Sequence, residues 1–180
     1  MKVVRHRNWE EVEELRAAWD SLLEASASDT VFLTWEWARA WWKNYGVGRP
    51  FFVLTAWEDG VLLGVAPFYV DSVRRWGVNW NCLKLIGDGS NDSDYLDCFA
   101  QRGREREVAG AFVAHLNEHR EEWDELEFHG TPENSPCLAS FTEFARERYW
   151  KTSSEPIPCA TLPLPARWND YLQSLKPRFR

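Results

Sequence analysis

Three groups of residues have the types and spacing to do chemistry. The segment His115-Leu116-Asn117-Glu118-His119 fits the H-x-x-E-H pattern, in which two histidines four apart share a helix face and can hold one metal ion. Such a site also needs a carboxylate ligand from a second helix, and nothing in the sequence marks one, so the segment reads first as a solvated helix face. The loop Gly87-Asp88-Gly89-Ser90-Asn91-Asp92-Ser93-Asp94 is rich in oxygen ligands. Its spacing is out of register for a calcium loop and the closing bidentate Glu is missing. It reads either as a turn between strands or as a polar loop beside a cleft, where Asp94 and Asp97 would orient or deprotonate an incoming amine or hydroxyl. Cys82, Cys98, Cys137 and Cys159 lie far apart with no C-x-x-C pair, the pattern of reduced thiols rather than of disulfides or zinc ligands. There is no G-x-S-x-G elbow, P-loop or dinucleotide-binding glycine pattern, and no bound metal is expected.

The elements that must position these residues follow from periodicity. Trp9 to Leu23 predicts an amphipathic helix, with Asn8 and Glu11 spaced as a capping box. Trp35 to Tyr45 predicts a second, capped by Thr34 and stopped at Gly46. Phe51 to Trp57 and Val61 to Val70 read as strands joined by a tight turn at Glu58-Asp59-Gly60. Cys82 to Ile86, Tyr95 to Phe99 and Glu125 to His129 read as further strands, and Arg104 to Trp123 and Pro136 to Tyr149 as helices. Trp150 to Leu164, interrupted by prolines, predicts an edge strand or a linker, and Trp168 to Leu175 begins another helix. This order predicts a mixed sheet covered by helices, an α/β or α+β layered architecture.

Composition narrows the function classes. The 180-residue chain has a net charge of −7 and only short, interrupted basic groups, which argues against a nucleic-acid binder. Twelve tryptophans predict an aromatic-heavy core, with a stacking platform for sugars or bases as the other use. The longest mostly apolar run, Val61 to Val70, is too short for a bilayer span, and the polar start Met1 to Asn8 leads straight into a charged helix. Both features predict a cytoplasmic protein without membrane insertion.

Several stretches together resemble one family. Phe32 to Trp42 is similar to the FL-x-x-x-W-x-x-x-WW helix of GNAT-superfamily acyltransferases of the CelD/FemAB-like type. Gly64 to Tyr69 resembles their G-x-x-P-L/F-Y strand, Leu85-Ile86-Gly87 with Ser93 to Asp97 their L-x-G…SDYLD segment, and Trp168 to Arg180 their W-x-x-Y-L-x-S-L-x-x-K-x-R stretch. The resemblance implies a GNAT-like mixed, mostly antiparallel sheet flanked by helices. It also implies two such folds in tandem, residues 1–165 being the N-terminal one and 166–180 the start of a helix leading to a second domain, with Lys176, Arg178 and Arg180 opening a basic segment. An acyl group would pass from acyl-CoA, or from aminoacyl-tRNA in the Fem-like branch, to a small-molecule, glycan or peptide acceptor. Cell-envelope or exopolysaccharide biosynthesis is the implied setting. Asp94, Tyr95, Asp97 and Trp37 would line the acceptor cleft, Tyr95 and Asp97 from one strand face. The turn Gln101 to Arg106 departs from the family's R/Q-x-x-G-x-G/A donor turn, having one glycine at another spacing and a carboxylate where phosphate would sit, so acyl-CoA would be held mainly by the second domain. A non-catalytic domain recognising a polysaccharide or a protein is the rival reading.

Overall fold

The computed structural model describes residues 1–75, 77–88, 93–160, 162 and 164–175. In chain order these form β1 (Lys2–His6), α1 (Glu10–Glu13), α2 (Arg16–Glu24), a 3-10 turn at Val31–Leu33, and α3 (Trp35–Tyr45). Then come β2 (Phe51–Glu58), β3 (Val61–Arg75), β4 (Val78–Leu85), β5 (Phe99–Ala100), α4 (Glu105–Glu118), β6 (Glu125–Leu126), α5 (Pro136–Glu147) and α6 (Trp168–Ser174). The sheet runs β1-β2-β3-β4-β6, antiparallel except for the parallel pair β4–β6, with β5 also paired to β3. The expected mixed, mostly antiparallel sheet flanked by helices is therefore present.

The β2–β3 hairpin is closed by Asp59 (φ 49) and Gly60 (φ 81), two successive left-handed residues whose twist matches the flanking strands. Alternation along β3 sends its residues to two helical layers. Phe68 meets Phe128 and Phe141 of α5, while Tyr69 meets Trp41 and Trp42 of α3. Trp19 of α2 is fully buried against Phe99 and donates its indole N–H to Leu33 O at 2.9 Å. Most of the tryptophans thus serve the core, as their number predicts.

Thr34 caps α3 by accepting from Trp37 N. The single helix expected over Trp9 to Leu23 is instead split, because Leu15 N–H turns back to Val12 O in a tighter turn. That offset lets both Val12 and Trp19 reach the core. The Asn8–Glu11 cap is present, Glu11 N–H donating to Asn8 Oδ1 at 3.0 Å. β1 is an additional strand over residues expected to be a polar lead-in, and β3 and β4 extend five residues or so past the apolar runs because outward-facing polar side chains alternate there. α4 ends at Glu118, and the strand expected over Glu125 to His129 is confined to Glu125–Leu126. Within 150–165 no described residue joins a strand. Lys176 to Arg180 and Gly89 to Asp92 lie outside the described residues.

Gly64 on β3 lets α4 approach the sheet closely, since a Cβ there would fall 2.2 Å from Val108 Cγ1. Replacing it forces the helix away from the strand or the valine off its rotamer. Gly64→Ala should therefore lower unfolding stability by roughly 2 kcal/mol or more, read as a shifted midpoint in urea denaturation at unchanged slope.

Candidate functional site

β2 occupies one edge of β3 along its first half, so β4 and β5 must share the other. β4 follows that edge until Ile86 N–H donates to Pro67 O, and β5 resumes it at Val65. Gly87, Asp88 and residues 93–98 are thereby expelled from the sheet. They return beside the loop after α2, where Ser26 bridges Gln101, and beside the segment leading into α5. Between these three segments lies a cavity of about 220 Å³.

Asp97 forms its polar wall. It is 1% exposed, and its Oδ2 accepts from Ser28 Oγ at 2.8 Å and from Ser135 Oγ at 2.6 Å. Ser135 has a second task, since its hydroxyl accepts Leu138 N–H at 3.0 Å as the N-cap of α5, ahead of Pro136 in the first turn. The other oxygen, Oδ1, is buried with no partner among the described residues, and the same holds for Thr30 Oγ1 in the same cavity. Burial pushes the Asp97 carboxyl up to about 6, against the opposing pull of the Ser135 and Ser28 hydroxyls and the Cys98 backbone N–H. Among the described residues the cavity lining carries Asp97 and Asp29 and no Lys, Arg or His. A carboxylate with a free oxygen, uncompensated charge and a raised pKa can bind an ammonium group or take a proton from one.

Of the residues singled out from sequence, Tyr95 and Asp97 meet at this cavity. They do not share a strand face. Tyr95 sits at φ 55, outside any strand, and pairing begins only at Phe99, so the alternation of residues 95–98 is not pleated. The Tyr95 hydroxyl lies 3.8 Å from Cys159 Sγ. Trp37 stands apart from the lining, its indole N–H donating to Ser93 Oγ at 2.9 Å, and Asp94 is exposed. Ser28 and Ser135 were missed as partners of Asp97. The only signal was Ser135 before Pro136, a helix-start signature that fixes the cap and not the carboxylate.

Among the described residues the histidines and cysteines form no second centre. The His115 and His119 rings stack at 4.3 Å, His119 Nδ1 lies 2.8 Å from His115 O, and His119 has left the helix. Among the described residues no three His, Cys, Asp or Glu gather to hold a metal. All four cysteines are free, three of them buried. Burial, with Glu127 and Glu125 nearby, pushes Cys82 up to about 12, the opposite of an activated thiol.

Three solved structures are similar to this chain at low identity. One is a ribosomal-protein-alanine N-acetyltransferase from Brucella melitensis biovar Abortus 2308, with 14% identity and TM-score 0.48 over 89% of this chain and 98% of that one. An aminoglycoside acetyltransferase from an uncultured soil metagenomic sample has 15% identity and TM-score 0.49 over 92% and 100%. An aminoglycoside 6'-N-acetyltransferase from Acinetobacter haemolyticus has 10% identity and TM-score 0.46 over 91% and 99%. No family model matches the chain, and no curated protein matches it.

The raised carboxyl has a measurable consequence for stability. Folded Asp97 holds its proton up to about 6 where the ordinary value is 3.8, so the stability that protonation provides is present below 3.8 and lost as pH rises to about 6. Over that window the loss amounts to about 3 kcal/mol at 1.4 kcal/mol per pH unit. Thermal melts should show wild type losing stability relative to Asp97→Asn between pH 4 and 6, with a constant difference above that range.

Proposed function

We propose that the Asp97 cavity is the acceptor site of a GNAT-type N-acyltransferase, transferring an acyl group from acyl-CoA to a small molecule bearing a primary amine. The observation that carries this reading is a cavity lined, among the described residues, by two carboxylates and no basic side chain, in which one buried carboxylate oxygen lacks a partner among those residues. Such a wall attracts an ammonium group and repels phosphate. With the amine seated, Asp97 accepts its proton. The free amine attacks the thioester carbonyl, a C–N bond forms, the C–S bond breaks, and the thiol leaves with a proton. Ser28 and Ser135 position Asp97, and Tyr95 lines the opening.

The order of elements and the motifs on α3, β3 and Ser93 to Asp97 support the CelD/FemAB-like resemblance. In this reading residues 1–165 form an acceptor half, and 166–180 lead towards a second domain that holds most of the donor. The protein works in the cytoplasm, and glycan precursors of the envelope or of exopolysaccharide are fitting acceptors. Aminoacyl-tRNA as donor belongs to the Fem-like variant. No helix among the described residues is long and apolar enough to cross a membrane.

One observation favours the rival, non-catalytic reading. The turn before α4 offers little to a pyrophosphate, because Glu105 and Glu107 occupy its first turn and Arg104 is already tied to Glu58 at 2.9 Å and Glu107 at 2.7 Å. Two measurements separate the readings. Thiol release from acetyl-CoA across a panel of diamines and amino sugars should be amine-dependent, and Asp97→Asn should lower kcat/KM by about 10²-fold or more. Calorimetry with acetyl-CoA should show donor binding. Amine binding in the cavity with neither donor binding nor thiol release would decide for the recognition domain.

A further inference from the structure

A second cavity has the opposite charge. It opens between the β1–α1 connection, the C-terminal turns of α3 and the start of β2, with a volume of about 450 Å³. Small-molecule sites usually span ~300–1,000 Å³. Four cations line it, Arg7, Arg39, Lys43 and Arg49, against one carboxylate, Glu10. In a chain of net charge −7 this is a marked local reversal. Arg39 is partly neutralised by Glu13 at 3.4 Å, whereas Arg7, Lys43 and Arg49 pair with no carboxylate of the described residues. Arg49 is held by rings instead, its guanidinium 5.1 Å from the Tyr69 centroid and 6.0 Å from that of Trp41. Those contacts fix the group and leave its charge available.

Trp42 supplies the flat surface. A Cβ on Gly46 would fall 2.4 Å from Trp42 Cδ2, so the ring lies directly on the Gly46 backbone, and Phe51 meets it edge-on at 4.9 Å. The indole is thus held in place, half-buried, and lines the cavity. Free cations beside a fixed ring are the elements that bind a phosphorylated aromatic ligand.

We propose that this cleft binds a phosphorylated small molecule carrying a flat ring, its phosphates on Arg7, Lys43 and Arg49 and its ring on Trp42. The site is separate from the Asp97 cavity and does not depend on acyl transfer.

Calorimetry with ADP and with inorganic pyrophosphate on the full chain tests it. ADP should bind one per chain, about tenfold or more tighter than pyrophosphate, and weaken as salt rises. Both variants Arg7→Glu and Lys43→Glu change exposed residues, so their melting should match wild type while ADP affinity falls about tenfold or more in the pair. Glu10→Gln should strengthen binding, and Asp97→Asn should leave it unchanged. No saturable heat with either probe at millimolar concentration overturns the proposal, as does unaltered ADP affinity in the doubly reversed variant. Equal affinity for ADP and pyrophosphate overturns the role of the ring.

Discussion

β3 offers one free edge, and two strands pair with it in succession. β4 takes the part from Arg75 back to Phe68, and β5 takes Val65 and Gly64. Two segments of chain cannot occupy adjoining stretches of the same edge, in the same direction, unless what joins them leaves the sheet. Gly87 and Asp88 leave the sheet after β4, and residues 93–98 return to it before β5. Their departure opens the layer beside β5, and their return at Asp97 brings a carboxylate into a place that a continuous strand would have filled with backbone. The cavity is a consequence of this pairing.

An opening of this kind has to be closed at its margins, and hydroxyls do so. Ser28 and Ser135 both donate to one oxygen of Asp97, tying the loop after α2 and the cap of α5 to the returning chain. Because the tie uses only Oδ2, the charge is stabilised on one side and left unsatisfied on the other. Burial outweighs the hydroxyls, which is why the carboxyl is raised. The two cavities then divide the chemistry by sign, acidic at Asp97 and basic beside Trp42. An ammonium and a phosphate group would each be attracted to one and excluded from the other.

Local signals were legible in the sequence. The Asp59-Gly60 turn, the Thr34 cap and the stop of α3 at Gly46 each depend on neighbours within a few residues, and each is where its residues predict. What depends on distant pairing was not. β1 holds only Val3 and Val4 between charges and becomes a strand because β2 accepts it. Tyr95 to Phe99 alternates like a strand, yet Leu96 to Ala100 are all buried and Tyr95 turns left-handed, so burial on every side replaced the pleat. Asp97 stands out in the sequence through a resemblance and a polar loop, but it shares no strand face with Tyr95. Its partners come from far along the chain, and no local pattern couples Ser28 or Ser135 to it.

The centre of the site is Asp97, a buried carboxyl whose charge is only half stabilised. Carbon-detected NMR of the side-chain carboxyls, with the Asp97 signal assigned by its loss in Asp97→Asn, measures that directly. A midpoint near 6 is the predicted result. A midpoint at or below the ordinary aspartate value of ~4 would contradict it, because the hydroxyl bonds would then outweigh burial and leave no proton-accepting group at the cavity wall.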